Sequence, residues 1–118
     1  SGDSSALIVP PAGRVVVCSE KGDDYLVPWR EATFVEWPPR SFAAAIVPGD
    51  LVVLCTDGVD ECHRHRPETS IQPQHLEQLR ARCTTPAAFA ATLVELALRG
   101  VDGNPGGEDN ATVLVSRC

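Results

Sequence analysis

The sequence predicts an α+β fold, an antiparallel β layer that carries two helices and closes on a final strand. Three observations predict it. The first half holds short apolar, β-branched runs bounded by proline and glycine, as strands do. The second half changes to the spacing of amphipathic helices. A last valine-rich run ends the chain, and the regular strand-helix alternation of a doubly wound parallel sheet is missing.

The elements follow in order. Ala6 to Val9 and Arg14 to Cys18 flank the turn Pro10-Pro11-Ala12-Gly13 and read as a β-hairpin. Thr33 to Trp37 alternates, with Phe34 and Glu36 on one face, and Pro38-Pro39 ends it. Phe42 to Val47 is a further candidate strand. Pro48-Gly49-Asp50 makes a turn into Leu51 to Thr56, whose nearly unbroken apolar run predicts burial on both faces or close to it. Pro73 to Cys83 places Leu76, Leu79 and Cys83 on one helical stripe. Thr85-Pro86 reads as an N-cap with proline in the first turn, Phe89, Leu93, Leu96 and Ala97 form the apolar stripe, and Gly100 stops the helix. A polar, glycine-rich loop over 101–110 leads into a strand from Ala111 to Ser116.

The 118 residues suffice for one small domain, and a 43% hydrophobic, 22% charged composition is that of a folded globular chain. A net charge of −6 without a basic stripe argues against nucleic acid as partner. No apolar run nears the roughly 20 residues of a membrane span, and the N-terminus lacks the pattern of a signal peptide. Five cysteines without a C-x-x-C pair read as free thiols of a reducing, cytoplasmic compartment. The chain begins at Ser1 and contains no methionine, which reads as an excised piece, a processed product or the ordered part of something longer, with residues missing upstream.

Two carboxylates are placed for chemistry. In Gly49-Asp50-Leu51-Val52-Val53-Leu54-Cys55-Thr56-Asp57-Gly58, an apolar strand delivers Asp57 to its C-terminal end, and Gly58 lets the backbone turn at once. In Glu108-Asp109-Asn110-Ala111-Thr112-Val113, Asp109 sits at the start of a strand. The end of one antiparallel strand lies beside the start of its neighbour, so the two acids can share one sheet edge. Carboxylates held there suit hard divalent cations. Asp-Gly and Asp-Asn are also ordinary turn dipeptides, because Asp bonds its own backbone and tolerates unusual dihedrals.

These segments resemble the last motifs of the type 2C metal-dependent protein phosphatases, the PPM family. There an apolar strand ends in Asp-Gly with an acidic residue soon after, two helices follow, and Asp-Asn opens the final strand. Gly2-Asp3-Ser4-Ser5-Ala6 resembles that family's Gly-Asp-Ser strand. The resemblance runs in order from Gly2 to Val115, and the bacterial stage-two sporulation-type phosphatases share the same plan, which leaves the subfamily open. It implies part of a PPM-type antiparallel β-sandwich with flanking helices, 1–118 forming a single segment from the later part of the domain. It further implies a two-metal site for Mn2+ or Mg2+, with Asp57 and Asp109 as ligands. A metal-bound water would attack the phosphorus of a phosphorylated protein substrate. The family's acidic N-terminal segment, its Asp-Gly-x-Gly-Gly strand and its early phosphate-binding arginine have no match here. The segment by itself is therefore expected to turn over little, and the alternative is a non-catalytic PPM-like interaction or regulatory module.

Lesser candidates complete the reading. Asp60 and Glu61 read as turn or surface acids, with a supporting place around the metal as the rival. Cys62-His63-Arg64-His65 reads as a polar loop rather than a zinc site, which takes four ligands at tighter spacing. His75 reads as a surface residue near a helix start, Cys55 as a small buried hydrophobe, and Trp29 and Trp37 as cover for the core. Half a sandwich leaves apolar sheet face open, so self-association or pairing with the missing half is expected.

Overall fold

A computed structural model describes residues 4–18 and 44–118 of the chain. Among these residues four strands, β1 (Ser5–Val9), β2 (Val16–Val17), β3 (Leu51–Cys55) and β4 (Val113–Arg117), form one antiparallel sheet in the order β2-β1-β3-β4. Three helices, α1 (Asp57–Asp60), α2 (Pro73–Arg82) and α3 (Pro86–Arg99), lie between β3 and β4 in sequence, with a 3-10 turn at Pro67–Thr69. The α+β class and the order of strands, helices and final strand are those that the sequence predicts.

Side-chain alternation divides the sheet into two faces. Leu7, Val53 and Val115 share one register row, and Val9 pairs with Leu51, so these residues point to one side. That side packs on α2 through Leu76 and Leu79 and on α3 through Phe89, Leu93 and Ala97, which together make the core. Ala6, Leu54 and Leu114 form a row on the opposite face, where Leu54 is 45% and Leu114 63% exposed. Burial of Leu51–Thr56 on both faces is thus corrected. Val52 is half-buried and Leu54 open, because the helices cover one face only and the described residues leave Leu54 open on the other.

The helix ends follow their local chemistry. Thr85 Oγ1 accepts the Ala88 N–H at 3.1 Å, and Pro86 occupies the first turn, where it lacks only a donor that has no helical partner anyway. Gly100 ends α3 at φ 90°, in the left-handed region that favours glycine, with its N–H on the Leu96 carbonyl at 2.7 Å. At α2, Gln72 and His75 close a reciprocal cap in which the Gln72 N–H donates to His75 Nδ1 at 2.8 Å.

Some expected boundaries move. The hairpin partner Arg14 to Cys18 contracts to Val16–Val17, although the Cys18 N–H still reaches the Ala6 carbonyl at 2.8 Å. Of Phe42 to Val47, residues 44–47 are exposed and carry no strand; Val47 is tied to the turn by its N–H on Asp50 Oδ2 at 3.0 Å and by its carbonyl, which accepts the Asp50 N–H at 3.1 Å. The final strand begins at Val113 rather than Ala111. Thr33 to Trp37, both tryptophans, Gly2 and Asp3 lie outside the described residues. All five cysteines are free, with Cys55 and Cys62 buried. Among the described residues no helix is long and apolar enough to cross a membrane.

Candidate functional site

The antiparallel pairing of β3 and β4 sets Cys55 opposite Val113, so the chain leaving β3 and the chain entering β4 meet at one sheet edge. Thr56 joins them. Its N–H donates to the Thr112 carbonyl at 3.1 Å, its Oγ1 accepts the Thr112 N–H at 3.1 Å, and the same hydroxyl donates to the Asn110 carbonyl at 3.3 Å. One residue later, Gly58 lies so close to Asn110 that a Cβ built on it would stand 2.0 Å from the Asn110 oxygen. Asp57-Gly58 and Asp109-Asn110 are therefore brought together through their backbones.

Asp57 does not simply end a strand. It opens the single-turn helix α1, its carbonyl accepting the Glu61 N–H at 2.8 Å, and Val59 on that turn is buried in the core. Asp109 folds one carboxylate oxygen back, with Oδ1 accepting the Asn110 N–H at 2.8 Å. Its Oδ2 faces Arg64 Nη1 at 3.7 Å. Both aspartates are partly open to solvent.

The loop after α1 is bound to the same edge. Glu108 Oε2 accepts the Arg64 main-chain N–H at 2.8 Å, its Oε1 lies 4.0 Å from His63 Nε2, and its N–H reaches the Cys62 carbonyl at 3.4 Å. His63 Nδ1 lies 2.6 Å from Thr69 Oγ1, and the His63 N–H donates to Ser70 Oγ at 2.9 Å. Cys62, expected in a polar loop, is instead fully buried in the core, because α1 turns it inward behind Val59. Among the described residues no group of three or more His, Cys, Asp or Glu is placed to hold a metal.

Three further expectations change. Asp60 is half-buried, with its Oδ2 accepting the Ser5 hydroxyl at 2.6 Å, and Glu61 is half-buried as well, so neither is a plain surface acid. The helical turn of α1 carries Asp60 back toward β1. His75 is not a surface residue: its side chain is 11% exposed, held by the Gln72 N–H on Nδ1 and by Asp102 Oδ2 at 2.8 Å from Nε2. Since Nδ1 accepts, Nε2 carries the proton given to Asp102. Thr56 and Glu108, which order this edge, carry no periodic or motif signal in the sequence beyond adjacency to Asp57 and Asp109.

The antiparallel layer, its helices on one face and its Asp-Gly and Asp-Asn turns meeting at one edge, is consistent with part of a fold of the PPM phosphatase class. The family model for Stage II sporulation protein E (SpoIIE) matches residues 5–118, and the chain belongs to that family. Neither the curated proteins nor the solved structures gave a match to this chain.

The family implies a divalent cation. Asp57 and Asp109 offer the hard oxygen donors that Mg2+ or Mn2+ takes, yet six oxygens fill such a shell and one oxygen of Asp109 is already engaged by Asn110. The donor type fits and the donor number does not, so the described residues alone do not form a complete metal site.

Proposed function

We propose that this chain is the later part of a metal-dependent serine/threonine phosphoprotein phosphatase domain, the upstream part of which supplies the remaining metal donors. Membership of a PPM-type family supports the phosphatase reading. The observation that carries the site assignment is the contact of Gly58 with Asn110, which holds Asp57 and Asp109 at one sheet edge. In this reading both aspartates are ligands of Mn2+ or Mg2+. When bound, such ions supply a nucleophilic water and neutralise charge on the phosphoryl oxygens. What the chain itself does is position: Thr56 ties the two strands, and Gly58 admits the approach of Asn110. The substrates would be phosphoserine or phosphothreonine proteins, in the cytoplasm.

The test is hydrolysis of a phosphoserine peptide with manganese, by a chain that joins this segment to its upstream residues. Asp57→Asn and Asp109→Asn are each expected to lower turnover at least about a hundredfold, the scale on which one strong electrostatic contact to a transition state acts. An active parent that tolerates both changes refutes the assignment of these residues, and a parent inactive with every divalent metal refutes the enzyme.

One observation favours a second reading, an interaction or regulatory module of PPM type: the described residues hold no group of three metal donors. Such a module would use the open sheet face around Leu54 and Leu114 to associate with itself or with a complementary half. The same assay separates the two readings.

A further inference from the structure

The edge that holds Asp57 and Asp109 also carries the loop His63-Arg64-His65-Arg66, which sets two arginines close together in a chain of net charge −6. We propose that Arg64 is the phosphate-contacting cation of this site and binds the phosphoryl group of the substrate. The inference rests on the phosphatase reading and adds a substrate-binding residue to it.

Position is the first argument. The main chain of Arg64 is pinned to Glu108, the residue before Asp109, by a 2.8 Å hydrogen bond. The loop behind it is fixed by Ser70 and Thr69 on His63, by the Arg66 N–H on the His63 carbonyl at 3.1 Å, and by the buried Cys62. Such a loop fixes the root of the Arg64 side chain before any ligand arrives.

Charge is the second. A phosphomonoester dianion approaching two aspartates meets repulsion, and a cationic side chain at the same edge adds to the attraction that bound metal ions would supply. Arginine suits this role, since its planar guanidinium presents five N–H donors in a fork that matches phosphate oxygens.

Availability is the third. Arg64 meets Asp109 at one point, 3.7 Å from Nη1 to Oδ2, with the arginine side chain 60% exposed. A solvated contact of that kind is weak and exchangeable. Arg66 meets a different acid, Glu68 two residues on, at 3.4 Å in an equally solvated contact. The Glu68 carboxyl is held below the ordinary carboxylate range, first by a hydrogen bond to its own backbone N–H and also by Arg66. Of the two arginines in the loop, Arg64 is the one directed at the aspartate edge.

Inorganic phosphate titrated into the 15N-labelled 118-residue chain tests this, with the arginine Nε–Hε resonances as readout. Saturable shifts of the Arg64 resonance are expected, and Arg64→Gln should weaken binding roughly tenfold while Arg66→Gln changes it by less than about twofold. Arg64→Lys, which keeps the charge and loses the fork, should fall between. The proposal is overturned if wild type binds no phosphate saturably, if Arg64→Gln binds like wild type, or if Arg66→Gln weakens binding equally. Broadening of the Gly58 and Asn110 amides by Mn2+ without phosphate reads the aspartate pair separately. Arg64-dependent phosphate binding without that broadening removes the metal assignment and leaves Arg64 standing; broadening with Arg64-independent phosphate binding does the reverse.

Discussion

The backbone of Gly58 lies against the carbonyl of Asn110 with no room for a side chain: a Cβ there would stand 2.0 Å from the oxygen and 2.6 Å from its carbon. Gly58 is buried and lies in the short helix α1, so its role is close approach rather than an unusual dihedral.

Gly58→Ala gives a sign that identifies this contact. In an open helical position the change would stabilise by up to about 1 kcal/mol, since alanine is the better helix former. Against a carbonyl in a hydrogen-bonded strand entry it should destabilise by about 1–3 kcal/mol through overpacking. Urea unfolding of the two chains decides, and a raised midpoint for the alanine variant refutes the packing described.

Thr56→Val removes the oxygen that both accepts the Thr112 N–H and donates to the Asn110 carbonyl, at nearly unchanged shape. The expected loss is about 0.5–1.5 kcal/mol, the net worth of a hydrogen bond whose partners water can reach. Thr56→Ser keeps the oxygen and should recover most of it. Equal unfolding midpoints for the valine and serine variants would contradict the bridging role.

Phe89→Ala empties the centre of the layer, where Phe89 is fully buried with Leu79, Leu93 and Val59 around it in the same core. A loss of about 3–5 kcal/mol is expected from lost transfer energy and the cavity that remains. Leu98→Ala, on the exposed side of α3, should change stability by less than about 0.5 kcal/mol. Chemical denaturation of both variants compares the two faces of one helix.

Association is the fourth prediction. The row Ala6, Leu54 and Leu114 presents apolar surface on the face away from the helices. The isolated segment should sediment as an associating species, and Leu54→Gln with Leu114→Gln should shift it toward monomer. Monomeric sedimentation of the unaltered chain across the micromolar range would rule out this use of the face.

Much of the architecture was legible because it is written in local chemistry. The stripe Leu76, Leu79 and Cys83 and the stripe Phe89, Leu93, Leu96 and Ala97 predict α2 and α3, and Thr85, Pro86 and Gly100 mark the ends of α3 where the structure has them. The meeting of the Asp57 and Asp109 segments was legible too, from antiparallel neighbours alone. The turn α1 was not, since four residues carry no period, and the two-faced burial expected of β3 failed because an apolar run does not say how many layers will cover it.

The sequence by itself determined the α+β class, the extents of α2 and α3, the free cysteines and the pair of acids near strand ends, all of which depend on residues near one another in the chain. Only the tertiary structure decided that Cys62 is core, that His75 is held between Gln72 and Asp102, that Ser5 bonds Asp60, and that Glu108 ties Arg64 beside Asp109. The reason is geometric. Most of these contacts join residues far apart in sequence, and their partners are chosen by the β1-β3-β4 register and the turn of α1, which no local spacing encodes.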